Sequence, residues 1–592
     1  MLNLRIGWRR GSGAFRHSFR CPVPGGEREP ARLTWMPVSE DLGTVRCEVA
    51  RVEMAGVSRY RQAELHTVRI VSVGSAVRLE RWLRSWGGAG LRRGPCPGRC
   101  RDVSITAWHK ARPLARMGAI SYPDQFAHSS GAVPMSDPSA PDHLQRSLSN
   151  RHLQLIAIGG AIGTGLFMGS GKTISLAGPS ILFVYLIIGA MLFFVMRAMG
   201  ELLLSNLEYK SFIDFSTDLL GPWAGFFCGW TYWFCWIITA IADVIAIAAY
   251  AQFWFPGLAP WIPAVLCVLL LLSLNLVKVK LFGEMEFWFA LIKIIAIAAL
   301  IMTGAGLVVW GFRSPSGNVA SLSNLWNDGG MFPMGIGGFF AGFQIAVFAF
   351  VGIELVGTTA AETADPRRNL PKAINSIPVR ILIFYVLALI AIMAVTPWRQ
   401  VVADKSPFVE LFVLAGVPAA ASLINFVVLT SATSSANSGI FSTSRMLYGL
   451  AEEQHAPNGF AKLSRASVPA RGLLFSCLCL LLGAMLVYLI PNLVTAFTLV
   501  TTLSAVLFMF VWSLILCAYI AYRRKCPEQH AVSAFKMPGG VLMCYVCLSF
   551  FAFVIVLLML QDDTRQALLA SPVWFLLLAI GYAVKRRQNR QR

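Results

Sequence analysis

Charge is what this sequence has least of. Of its 592 residues only 14% are Asp, Glu, Lys or Arg, against ~25% in a soluble globular domain. Hydrophobic residues make up 56%, and the mean hydropathy is +0.61. A chain this poor in charge lacks the polar surface to sit in water as one compact body. That excludes a soluble enzyme and a disordered protein. A disulfide framework is also missing, which excludes a small secreted module. Nine of the 13 Cys follow residue 134, mostly inside apolar runs, where a thiol acts as a small hydrophobe. Cys96 and Cys100 have no second close pair, so the spacing does not read as a zinc site and no metal is expected. None of the eight His falls within a long apolar run. This argues against an intramembrane metal site and a His-based acyltransferase. A polytopic membrane protein remains.

The net charge of +21 raises nucleic acid as a partner. Residues 1–134 carry 22 basic and 10 acidic residues, and all but Lys110 of the basic ones are Arg. This stretch is rich in Gly, Pro and Arg, shows no helical or strand periodicity and has no secretory signal region. It reads as a disordered extension or a mis-assigned start. The expectation is that the native chain begins at Met135, with 135–152 as a short cytoplasmic lead. A basic tail for nucleic acid or anionic lipid is the rival reading, disfavoured because the Arg are scattered.

A membrane helix needs ~20 mostly apolar residues. Twelve such runs follow, near 153–172, 178–197, 223–254, 260–277, 286–311, 336–360, 378–397, 416–442, 472–490, 494–520, 541–560 and 571–584. With the N-terminus inside, the inner segments and the basic tail 585–592 hold 23 Lys and Arg, and the outer loops hold five. Both termini are therefore expected in the cytoplasm. The fold class expected is an all-α membrane protein with 12 transmembrane helices. Spans 1–5 (153–311) and 6–10 (336–520) form two five-helix sets, and spans 11–12 (541–584) follow.

Two spans are interrupted at matching places. In span 1, Gly159, Gly160, Gly163 and Gly165 crowd the middle, and each Gly costs ~1 kcal/mol in a helix interior. In span 6, Gly352 and Glu354 sit mid-span. Interrupted helices at corresponding positions of two halves point to a transporter site near the midplane. Freed N–H groups at Gly163, Thr164 and Gly165 favour a carboxylate. Freed carbonyls of Ala161, Phe348 and Val351 can accept from an ammonium. The pair suits a zwitterionic amino acid. The alternative is close helix packing through small residues.

Charged groups away from the ends of the spans are few: Asp243, Lys293 and Glu354. Such groups are functional candidates, and Lys293 is the one favoured for proton coupling. The alternative is a permanent ion pair of Lys293 with Asp243 or Glu354. The aromatic run at 230–236 reads as packing or an interfacial belt. The Ser- and Thr-rich stretch at 430–439 either faces a cavity or lets helices pack closely. A phosphate-loop look-alike at 163–173 fails because the Gly required six positions before Lys172 is Leu166 and no strand precedes it.

The stretches RHLQLIAIGGAIGTGLFMGSGKTISLAGPS, VMRAMGELLLSNLEYKSF, GWTYWFCW, LFGEMEFWFALIKI and FAGFQIAVFAFVGIELVGTTAAETADPRRNLPKAINSIPVRI carry a resemblance. From about 146 to 585 the chain resembles the amino-acid permeases of the amino acid–polyamine–organocation superfamily. The resemblance implies a LeuT-like 5+5 inverted repeat. It implies proton symport of amino acids across a bacterial inner membrane, with small neutral ones (glycine, D-alanine, D-serine) expected here. Ala161, Gly163, Thr164 and Gly165 would bind the α-carboxylate and ammonium, Phe348 and Val351 would complete the ammonium site, and Lys293 would stand where sodium-coupled relatives hold sodium. No cofactor is implied beyond the proton as coupling ion. The partners expected are an amino-acid substrate and the lipid bilayer, and no nucleic acid. Alternatives are a related permease for proline, GABA or aromatic amino acids and, in a different class, a membrane-embedded enzyme or sensor.

Overall fold

A computed structural model describes six strands between residues 15 and 106. It also describes residues 160–591 except 277–278, 315–316, 359, 361–362, 364, 404, 415–417, 465–467 and 491. Cys96, Cys100, the lead 135–152, and residues 153–159 of span 1 with Gly159 lie outside the described residues. The chain divides into two units, Met1–Ser136 and Asp137–Arg592. In the first unit, β1 (Phe15–Pro22), β2 (Arg28–Pro37), β3 (Cys47–Met54), β4 (Val68–Val73), β5 (Ala76–Glu80) and β6 (Ile105–Thr106) pair antiparallel in sequence order. This pairing was not expected from a stretch that shows no strand periodicity.

The second unit is helical. Its main helices are α1 (Gly169–Ala177), α2 (Ile181–Ser205), α3 (Phe212–Leu220), α4 (Pro222–Ala251), α5 (Trp261–Leu276), α6 (Val279–Val309) and α7 (Gly335–Ala341). They continue with α8 (Pro366–Val395), α9 (Pro418–Glu452), α10 (Ala470–Ala484), α11 (Leu493–Lys525), α12 (Gly540–Leu560) and α13 (Asp562–Gln591). Among the described residues, eight helices are long and apolar enough to cross a membrane, and three shorter apolar ones accompany them. Helix ends are set locally. Asn492 accepts from the N–H groups of Val494 and Thr495 to start α11, and Ser211 and Asp214 form a capping box on α3.

Burial separates the helices into a centre and a rim. The most apolar window of α4 is 89% buried, whereas that of α13 is 22% buried. Thus α4 is the hub, packed against α9, α11, α3 and α10, and α13 presents an apolar face outward, as a lipid-facing helix does. The aromatic run of α4 packs inside the protein. Tyr232 meets Phe212 edge-on and Phe508 likewise, Trp233 stacks on Phe475, and Phe234 stacks on Trp574. All nine Cys after residue 134 are free thiols.

Near the C-terminal end of α2, Glu201 is fully buried. It accepts from the Tyr519 hydroxyl (2.9 Å) and the Met537 N–H (2.7 Å), and it contacts His530 Nδ1. One carboxylate thereby ties α2, α11 and the segment before α12 together. Nearby, Arg197 donates to Asn375 (2.8 Å) and lies over the Phe535 ring. Replacing Glu201 by Ala orphans two buried donors, each worth ~1–3 kcal/mol. Glu201→Ala is expected to lower the melting temperature in detergent sharply, and Glu201→Gln, which keeps one acceptor, less so. Equal melting of both variants would contradict this assignment.

Candidate functional site

Helix geometry fails where the glycines cluster. In span 1 the chain leaves the helix at Ile162 and Gly163, and resumes with a single turn, Thr164–Phe167, before α1. Gly163 has extended backbone (φ −129°, ψ −155°). In span 6, a turn at Phe343–Ala346 gives way to 3-10 structure at Phe348–Phe350, and Val351 turns extended with ψ 139°. Gly352 follows at φ +99°, a left-handed value that only Gly adopts readily.

The two breaks meet backbone to backbone. A Cβ on Gly352 would lie 2.7 Å from both C and O of Gly160 and 3.0 Å from Ala161 N. A Cβ on Gly165 would lie 2.6 Å from Ala349 Cα. Bare glycine at these positions is what lets the segments touch. Tyr385, fully buried on α8, ties them. Its hydroxyl lies 2.8 Å from the Ala161 carbonyl oxygen and 2.7 Å from that of Ala349. The Ala161 carbonyl also accepts from the Gly163 N–H (3.1 Å), and the Phe348 carbonyl accepts from the Val351 N–H (3.1 Å).

The first break is walled by α4 and α9. Thr164 donates its hydroxyl proton to Asp243 Oδ1 at 2.7 Å, and both residues are buried. The second oxygen, Oδ2, has no hydrogen-bond partner among the described residues. Ser431 donates to the Ile162 carbonyl (3.1 Å). The open side of Gly163 faces Ser435, whose Oγ would lie 3.0 Å from an added Cβ. The Ser- and Thr-rich stretch of α9 is therefore a buried polar seam against the break, and further along it Asn437 accepts from Asn275 at 2.7 Å.

Lys293 is buried on α6 and interacts electrostatically with Glu286 and Asp243. Glu354 sits elsewhere in the network. It accepts from the Gly352 N–H (3.2 Å) and the Tyr232 hydroxyl (3.3 Å), so it steadies its own break. Of the two acids expected as possible partners of Lys293, Asp243 is the one placed with it. Glu286, fully buried and bonded to the Ser434 hydroxyl at 2.9 Å, is a member of the site that sequence reasoning missed. Its signal was the seven-residue spacing to Lys293, two turns along one helix face. Lys172, the lysine of the phosphate-loop look-alike, bonds Asp563 (2.7 Å) and Thr498 (3.2 Å), tying α1 to α13 and α11.

Two broken helices facing each other, with charges buried beside them, match the arrangement seen at transporter binding sites. The amino acid permease profile matches residues 152–592. The chain belongs to the amino acid permease family. Within it, the D-serine/D-alanine/glycine transporter of Escherichia coli (strain K12) is 68% identical over 450 residues, covering 76% of this chain and 96% of that protein. Amino-acid permease AapA of Bacillus subtilis (strain 168) is 55% identical over 446 residues, 75% of this chain and 96% of the relative. The probable threonine/serine transporter YbxG of the same strain is 43% identical over 441 residues, 74% and 95%. As an amino acid permease, the chain is a multi-pass membrane protein, and its apolar helices agree with that membership.

Proposed function

We propose that this permease imports small neutral amino acids, glycine, D-alanine and D-serine, together with protons across a bacterial inner membrane. The observation that carries the substrate reading is the 68% identity to the E. coli D-serine/D-alanine/glycine transporter over nearly that protein's full length. The layout we infer is twelve spans, a LeuT-like pair of five-helix repeats and two C-terminal helices. Both termini lie in the cytoplasm, as the excess of Lys and Arg in alternate loops indicates.

The substrate lies between the breaks in this reading. Its carboxylate takes donors from Thr164 and Gly165 more than from Gly163, whose N–H, expected to be free, already bonds the Ala161 carbonyl, and its ammonium takes carbonyls. Because the Ala161 carbonyl already accepts two donors, the ammonium falls to Phe348 and Val351 more than to Ala161. Lys293 carries the coupling proton, flanked by Asp243 and Glu286. Asp243 touches Thr164, so the charge state of this group is felt at the first break. Proton and substrate each change the other's affinity by the same factor, which is what coupling requires. Alternating access follows from rocking of the helices around a fixed midplane site.

The test is uptake of labelled glycine into proteoliposomes holding the full chain, with and without an inward proton gradient. Gradient-driven accumulation, competed by D-serine and D-alanine, is the expected result. Competition by L-proline or GABA alone moves the substrate within the family. Accumulation indifferent to the gradient overturns proton coupling.

A further inference from the structure

Tyr385 is 224 residues from Ala161 and 36 from Ala349 in sequence, yet its hydroxyl sits between their carbonyl oxygens. The ring is fixed on its other side. It packs against Tyr185 (5.8 Å between centroids) and Phe350 (5.3 Å), and Tyr185 also meets Phe350 (5.5 Å). The hydroxyl therefore has little freedom to leave. It has one proton and faces two acceptors. A single donor shared by two carbonyl oxygens draws both toward itself. Without it, two buried carbonyl dipoles would face each other with nothing between them, and each would lose a hydrogen bond it cannot replace from water.

We propose that Tyr385 is the positioning residue that sets the spacing of the two unwound segments, and through that spacing the affinity for substrate. The inference rests on the reading that substrate lies between the breaks. Tyr385 itself does not touch substrate; it acts through Ala161 and Ala349. The glycine contacts bring the segments to van der Waals distance, and the hydroxyl fixes their registry. Affinity for a small zwitterion depends on donors and acceptors placed to within a few tenths of an ångström, so a loosened tie is read first in KM.

The experiment compares three side chains at position 385 in full-length protein reconstituted into proteoliposomes. Tyr385→Phe keeps the ring and removes the donor. It is expected to raise the KM for glycine at least tenfold, change the maximal rate less than threefold, and shrink the thermal shift that glycine induces in detergent. A 4-aminophenylalanine at 385, introduced by codon suppression, has two N–H donors for the same two carbonyls. It is expected to keep KM at or below the wild-type value. If Tyr385→Phe fails to fold, 4-aminophenylalanine and 3-fluorotyrosine, both donors, remain to be compared with wild type, and a tenfold higher KM in both overturns the proposal. So does Tyr385→Phe with wild-type KM and a full glycine-induced shift. A Tyr385→Phe protein that only melts lower, with unchanged KM, assigns the hydroxyl to stability and likewise overturns it. Failure of the wild-type protein to transport glycine at all would count against the substrate assignment, a separate outcome.

Discussion

Gly352→Ala is expected to abolish amino-acid uptake by correctly inserted protein. Two independent penalties act at this position. The backbone stands at φ +99°, and forcing a residue with a Cβ into such a region costs ~1–3 kcal/mol. The added methyl would also lie 2.7 Å from the carbonyl carbon and oxygen of Gly160. No flexible side chain stands there to move aside, so the second break must retreat from the first. Gly165→Ala is expected to behave alike, because its methyl would meet Ala349 Cα at 2.6 Å. Gly449 is the control: an added Cβ there would meet nothing within 4 Å, and Gly449→Ala should transport normally. The measurement is initial uptake rate normalised to inserted protein. More than half the wild-type rate in Gly352→Ala would contradict the close approach of the two breaks.

Lys293→Met is expected to lose gradient-driven accumulation. The change leaves Asp243 and Glu286 buried without the cation beside them. Stranding a buried charge in this way costs on the order of 3–5 kcal/mol, so the single variant is also expected to be poorly stable. The double variant Lys293→Met with Glu286→Gln removes one positive and one negative charge, which returns the cluster to its original net charge and leaves only Asp243 without the cation. It is expected to regain stability and to exchange internal for external glycine, yet to ignore the proton gradient. A purely structural ion pair predicts something different: stability and gradient-driven accumulation would return together. Measuring exchange and accumulation side by side in the double variant separates the two.

How much of this was legible in the sequence depends on the range of the interaction. The breaks were legible because glycine acts locally: Gly160, Gly163 and Gly165 of span 1 and Gly352 in span 6 stand where the described helices open. The long apolar runs mark the helices, since apolar length is a local property as well. Which charges pair was not legible. Lys293 has Glu286 two turns away on its own helix and Asp243 on another helix, whereas Glu354 turned to Tyr232 and to its own backbone. Tyr385 carried no signal, because a tyrosine in an apolar helix is ordinary until its hydroxyl is found between two carbonyls from distant segments. The same holds for Glu201, whose partners Tyr519 and Met537 lie more than 300 residues away. The strand pairing of the first unit was also unforeseen. Its sequence is punctuated by Gly and Pro, which interrupt any period-two run.

The contact of the two breaks has a consequence for how such a protein changes over generations. A pocket bounded by side chains can be retuned one substitution at a time, since each wall can be trimmed or enlarged. Gly160 against Gly352 and Gly165 against Ala349 offer no such handle, because main chain rests on main chain. Their separation is inherited whole. With substrate between the breaks, as proposed, new preferences must be written in the neighbours that still have side chains to vary, Ser431 and Ser435 on one side and Phe348 on the other. Descendants of this sequence can therefore drift in which amino acid they carry far more easily than in the kind of molecule they hold.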